Sequence, residues 1–271
     1  MAQKRNMQRL KKLAKFLGVL YILSTLMLYF FQEKLIFLPS KLPQDYEYSF
    51  ALPHEEFNLK TKDGAVLNGL HFKNSNSKGV LLYFHGNAGD LSRWGEIALY
   101  FVEKQYDVII MDYRTYGKST GKLSPEALFD DAQLFYEYAL EHYPENELTL
   151  YGRSLGTGIA TKMAAKNNPK QLVLETPFYS LLDVAQRMFP ILPVSVFLKY
   201  TFPSFEFMPE ITCPVAIFHG TSDSVVPYES GVKLYDAIPH GQKSFFTIED
   251  GEHNNLVSFP QYHEGIKQVL P

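Results

Sequence analysis

Cysteine is nearly missing from this chain. Cys213 is the only one among 271 residues, so no intrachain disulfide can form and no metal site built from several cysteines is possible. No H-E-x-x-H or similar histidine pair occurs either, so zinc chemistry has no support and no metal or other cofactor is expected. Acidic charge is missing from the N-terminus: Lys4, Arg5, Arg9, Lys11, Lys12 and Lys15 all precede the first acidic residue, Glu33. Setting those six aside leaves 20 basic against 29 acidic side chains. A remainder that acidic argues against nucleic acid as a partner. Repeats and disorder-type composition are lacking too, and 46% hydrophobic with 15% aromatic residues can bury one large core. The sequence does not indicate an oligomeric state.

The basic stretch runs into Phe16–Phe31, sixteen residues with no charge. A bilayer span takes about 20 residues; Leu13 and Ala14 lengthen the apolar face and Lys15 can snorkel to the head groups. A cleaved signal peptide would need a shorter apolar core followed by small residues, whereas this run ends in Leu-Tyr-Phe-Phe-Gln-Glu-Lys. A buried core helix is the other alternative, but a run apolar all round after six cations favours lipid. The expected organisation is a basic segment at 1–15, a transmembrane anchor at 16–34, a proline-punctuated connector at 35–54 and a catalytic domain at 55–271. Tyr29, Phe30 and Phe31 would form an interfacial belt, and the positive flank would stay cytoplasmic with the domain on the opposite side.

Beyond the connector, Glu56–Lys60 and Ala65–Phe72 alternate around Asp63-Gly64, a hairpin signature. Gly79–Phe84 and Tyr106–Met111 are continuous apolar runs of the kind buried on both faces of a parallel sheet. Helix-period segments separate them, among them Leu91–Gln105 and a run opened by Ser124-Pro125, a cap followed by a proline in the first turn. Leu148–Tyr151, Gln171–Leu174, Val215–Phe218 and Ser244–Ile248 continue the strands, and helices follow near 229–237 and 255–269. This alternation predicts a mostly parallel sheet covered by helices on both faces. Ligands bind beyond the carboxyl ends of such strands, so the loops there hold the chemistry.

One of those loops carries Gly152-Arg-Ser-Leu-Gly156. A sharp strand-to-helix turn lifts a serine hydroxyl clear of the sheet, which makes Ser154 the candidate nucleophile. His85-Gly-Asn-Ala-Gly89 follows another strand; with the backbone N–H of Leu155, that of Asn87 is the candidate oxyanion hole. His85 itself, before a glycine turn, reads as structural. Asp223, in His219-Gly-Thr-Ser-Asp223, follows a strand at the same sheet edge and is the candidate acid. Of the eight histidines, His54, His71 and His142 precede the nucleophile in unrelated segments, His240 precedes a strand, and His263 falls inside the last helix. His253 follows Ser154 and Asp223 and sits in a loop after a strand, so it is the candidate base. The order Ser, Asp, His is that of α/β-hydrolases.

On these motifs, with Asp112-Tyr-Arg-Thr-Tyr-Gly117, the chain from about residue 55 to its end resembles the membrane-anchored α/β-hydrolases of the ABHD type. The resemblance implies an α/β-hydrolase fold with a small helical lid at about 177–213 and an N-terminal transmembrane helix. It also implies a serine hydrolase of carboxylic esters or thioesters. Similar proteins include esterases, lysophospholipid and monoacylglycerol lipases and protein depalmitoylases. A lipid or an acylated small molecule or protein is the expected substrate, and the bilayer the expected partner. The motif departs from many relatives at Thr115, where they carry glycine. A β-branched residue disfavours a left-handed backbone, so the turn there is expected to differ in shape.

Two points stay open. The lid is rich in aromatics, and its apolar residues either line an acyl site or simply pack on the sheet. A non-catalytic, membrane-tethered binding or scaffold protein on the same fold is the alternative function, because fold does not imply activity. A dehalogenase or epoxide hydrolase would need aspartate where Ser154 stands.

Overall fold

The computed structural model describes residues 2–239 and 241–271, so the expectation for His240 lies outside the described residues. In chain order the elements are α1 (Ala2–Ile36), β1 (Leu38–Pro39), β2 (His54–Lys60), β3 (Val66–Phe72), β4 (Val80–Phe84), β5 (Ala88–Gly89), α2 (Leu91–Val102), β6 (Asp107–Met111), α3 (Pro125–His142), β7 (Leu148–Arg153) and α4 (Leu155–Lys166). They continue with β8 (Gln171–Glu175), α5 (Leu181–Met188), α6 (Val194–Phe197), α7 (Ser204–Phe207), β9 (Val215–Gly220), α8 (Tyr228–Asp236), β10 (Lys243–Ile248) and α9 (Pro260–Val269).

Helix α1 runs through both the basic stretch and the apolar run, because no proline interrupts it. A helix of 35 residues extends about 52 Å at 1.5 Å per residue. Gln3–Ile36 is long and apolar enough to cross a membrane, and none of its most apolar window is buried. That exposure removes the buried-core-helix alternative. The connector is also more structured than its prolines suggest, since β1 pairs in parallel with β5, Leu38 opposite Ala88.

Eight strands form the main sheet in the order β10-β9-β8-β7-β4-β6-β3-β2. The ladder is parallel from β10 to β6 and antiparallel for β3 and β2. Successive side chains point to opposite faces. Leu82, Phe84 and Leu150 therefore join the core under α3 and α4, while Leu81, Tyr83 and Tyr151 join the core under α2 and α9. Two helix starts are fixed by their own caps: Asp90 accepts from Ser92 N at 2.8 Å and Ser124 from Ala127 N at 3.0 Å. The carboxyl ends of β4, β7, β9 and β10 share one edge, and the loops beyond them form the site.

The expectation for Thr115 is corrected. Its φ of 74° is left-handed, the conformation glycine would take. The flanking residues impose it. Arg114 donates to both carboxylate oxygens of buried Asp131, at 2.7 and 2.9 Å, and to Asp63 at 3.0 Å. Tyr113 Oη donates to His85 O at 2.8 Å and Tyr116 Oη to Asn87 O at 2.6 Å. With both neighbours pinned, Thr115 absorbs the strain, and its buried hydroxyl has no partner among the described residues. Left-handed strain of about 1–3 kcal/mol outweighs the roughly 0.5–1 kcal/mol entropic cost of glycine. Thr115→Gly is therefore expected to raise the thermal unfolding midpoint by a few degrees; a lower midpoint would contradict this account.

Candidate active site

Ser154 occupies the single residue between β7 and α4, with φ 51° and ψ −117°, a backbone that few non-glycine residues adopt. Its N–H donates to Glu175 O at 2.9 Å, and its carbonyl accepts from Thr157 N at 2.9 Å and Thr157 Oγ1 at 2.6 Å. The glycines beside it are required by contact. A Cβ on Gly156 would collide with the backbone of Phe84 and His85, and one on Gly152 would lie 2.7 Å from Gly156 O and Thr157 Cα.

Ser154 Oγ lies 2.8 Å from His253 Nε2, and His253 Nδ1 lies 2.8 Å from Asp223 Oδ2. The structure thus brings together the three residues singled out from the sequence. Asp223 Oδ1 accepts from the amides of Val225 and Val226 at 2.9 and 2.8 Å. His219 adds a buried ring whose Nε2 donates to Val226 O at 2.9 Å and approaches Asp223 Oδ2 at 3.4 Å. Burial raises the pKa of Asp223, but the contacts from His219, His253 and the Val226 amide outweigh it and hold the carboxyl well below its ordinary range. An ionised Asp223 only accepts, so His253 Nδ1 carries the proton and Nε2 turns its lone pair to Ser154.

Asn87 is held on three sides. Its carbonyl accepts from Leu38 N at 2.9 Å and from Tyr116 Oη at 2.6 Å, and its side chain donates to Ile36 O at 3.2 Å. Leu155 opens α4, so its N–H is one of those that no intrahelical carbonyl can satisfy. Both residues line the cavity that contains Ser154 and His253. His85 is buried off this line. Its Nδ1 donates to Gly86 O at 2.7 Å, its ring stacks on Trp94, and its Nε2 lies 3.4 Å from Asp112 Oδ1. Burial pushes the pKa of Asp112 up against the opposing contact from His85.

The cavity measures about 410 Å³. The two readings of the lid divide it between them. Leu181, Met188, Val194 and Phe197 line the cavity, whereas Tyr200, Phe202 and Met208 belong to the core. Sequence reasoning missed three contributors. Arg153 pairs with Glu175 at 3.2 Å and donates to Asn254 O at 3.4 Å, tying the turn at Ser154 to the His253 loop; a charged residue inside the glycine motif was its only signal. Trp94 supplies an aromatic wall. Leu28, Gln32, Leu35 and Ile36 of α1 line the same space, which no local pattern reveals.

Residues 75–207 match the family described as Serine aminopeptidase, S33, a stretch that includes Ser154 and ends before Asp223. The chain is 30% identical over 224 residues to alpha/beta hydrolase domain-containing protein 17C of Xenopus laevis, covering 80% of this chain and 69% of that one. It is 33% identical over 181 residues to lysophosphatidylserine lipase ABHD12 of Danio rerio, 58% of this chain and 46% of that one. The solved Pyrococcus furiosus esterase Pf2001 has the same fold, with a TM-score of 0.68 at 20% identity over 87% of this chain and 98% of that one. With the sheet order, the strand-to-helix turn and these relatives in agreement, the chain belongs to the α/β-hydrolases.

Proposed function

We propose that the protein is a membrane-anchored serine hydrolase that cleaves carboxylic ester or thioester bonds of lipid-like or acylated substrates. The observation that carries this reading is the line of 2.8 Å contacts from Ser154 through His253 to Asp223 at the floor of an apolar cavity. Ser154 Oγ attacks the carbonyl carbon as its proton passes to His253 Nε2. The N–H groups of Asn87 and Leu155 receive the charge on the carbonyl oxygen; one such donor contributes about 3 kcal/mol to the transition state. Collapse expels the alcohol or thiol, which takes the proton from His253, and leaves Ser154 acylated. Water then attacks, gives a proton to His253, and the acid leaves as Ser154 regains its own. Asp223 fixes the tautomer and stabilises the charged imidazole throughout.

Support for the substrate class comes from three directions. The cavity walls are mostly apolar, as an acyl chain requires. One relative is named as a lysophosphatidylserine lipase. A domain at 55–271 tethered by an anchor at 16–34 meets lipids at high local concentration. The six N-terminal cations favour a cytoplasmic N-terminus with the catalytic domain on the other face.

A fluorophosphonate probe is expected to label the wild type and not Ser154→Ala; absence of label on folded wild type would indicate a scaffold on a hydrolase fold. Hydrolysis confined to short, water-soluble esters would remove the lipid assignment. Asp223→Asn should lower kcat by about 10⁴ by disturbing the imidazole tautomer. The same carboxylate predicts a pH dependence of stability. Its folded pKa is depressed, so its contribution is complete above the unfolded value of about 3.9 and is lost as pH falls below it. Thermal midpoints of the wild type and Asp223→Asn should therefore converge as pH drops from 5 towards 2 (roughly the carboxylate range); a constant gap would exclude this linkage.

A further inference from the structure

The residues of α1 that reach the cavity, Leu28, Gln32, Leu35 and Ile36, share one helical face. This end of α1 is bonded to the catalytic domain at three places. Gln32 is only 4% exposed; its Oε1 accepts from Lys199 N at 2.8 Å and its Nε2 donates to Tyr29 O at 2.9 Å and Phe197 O at 3.3 Å. Tyr200 Oη donates to Glu33 Oε1 at 2.9 Å, and the Ile36 carbonyl accepts from the side chain of Asn87. The helix is thus bracketed to the lid and to the loop of the candidate oxyanion hole.

The depth of these contacts follows from the sequence. Leu28 belongs to the uncharged run that ends at Phe31, and Gln32, Glu33 and Lys34 are the polar residues that close it. Charged groups stay out of the hydrocarbon, so this boundary lies at the membrane surface. The lid segment facing the same region, Met188–Val196, has no charge, and Ile191 and Val196 are 81% and 84% exposed. Apolar surface so open in water is ordinary in lipid.

We propose that the anchor helix is one wall of the acyl site, and that an acyl chain of a bilayer lipid enters sideways between Leu28 and Leu35 on the helix and Met188 and Phe197 on the lid. The chain then reaches Ser154 without crossing water, which favours long-chain substrates held in the same leaflet over short soluble ones. This rests on the lipid-hydrolase reading above.

The test uses the full-length protein in phosphatidylcholine vesicles, with para-nitrophenyl palmitate and para-nitrophenyl butyrate as substrates. Leu28→Trp narrows the passage, and the palmitate-to-butyrate ratio of kcat/KM is expected to fall by about tenfold or more. Leu26→Trp, on the opposite face of α1 and exposed, is expected to keep the wild-type ratio. A folding defect is avoided by enlarging the wall after folding: Cys213 is buried and is the sole native cysteine, so a maleimide added to folded Leu28→Cys alkylates the wall and should reproduce the tryptophan effect. If palmitate is hydrolysed and neither Leu28 change moves the ratio, the wall and the sideways passage are wrong. If the wild type cleaves butyrate and ignores palmitate, the underlying lipid assignment has failed and this inference falls with it.

Discussion

The backbone of Ser154 is the constraint on which the rest of the site depends. A serine at φ 51°, ψ −117° costs about 1–3 kcal/mol and persists only where its surroundings over-determine it. Here the determinants are steric: α4 presses against the ends of β7 and β4 so closely that neither Gly152 nor Gly156 has room for a methyl group. The same approach brings Gly86 beside Ser154, since a Cβ there would stand 3.7 Å from Ser154 Cβ. Ser154 and the loop at Asn87 are therefore placed by one packing event. Loosening it would separate them together.

Around this wedge the electrostatics fall into two compartments. On one side, Asp223 is the carboxylate in the line through His253 and receives two backbone amides besides the contacts from two histidines. It stays charged although buried, because the hydrogen bonds made to its ionised form outweigh desolvation. On the other side, burial pushes Asp112 up beside His85, and one of its oxygens accepts from Leu91 N at the start of α2. Two buried Asp and His pairs thus sit in different surroundings. The difference lies in what each histidine faces: His253 points its free nitrogen at a hydroxyl, whereas His85 turns its proton to a carbonyl and its face to Trp94.

Much of this was legible in the sequence, for a definite reason. In a parallel sheet each buried strand reads as an apolar run, and the residue after it is committed to one edge. Ser154, Asp223 and His253, which the structure brings together, could be singled out because they stand just past such runs, in the order Ser, Asp, His. What was not legible depends on contacts with no local period. Gln32 meets Lys199 from 167 positions away, and nothing near either residue marks the pairing. Leu38 opposite Ala88 is a two-residue ladder too short to show alternation. Thr115 misled because its propensity is real but local, and the Arg114 clamp that overrides it draws on Asp63 and Asp131. Local preference yields wherever tertiary contacts fix both neighbours.

With α1 in the bilayer, as proposed, its junction with the domain follows from how helices associate in lipid. Lipid tails are as apolar as leucine, so leucine contacts alone give a helix no preferred rotation against a neighbour. Polar contacts supply it. An unpaired amide near the hydrocarbon costs free energy, and Gln32 avoids that cost only when α1 is turned so that its side chain reaches the backbone at Phe197 and Lys199. Glu33, one position on, then meets Tyr200, and the final carbonyl meets Asn87. Once that rotation is set, helical geometry leaves no choice for Leu28 and Leu35, which lie on the Gln32 face and must turn to the cavity. The single amide at the end of the apolar run thus decides whether its neighbours face outward or the space above Ser154.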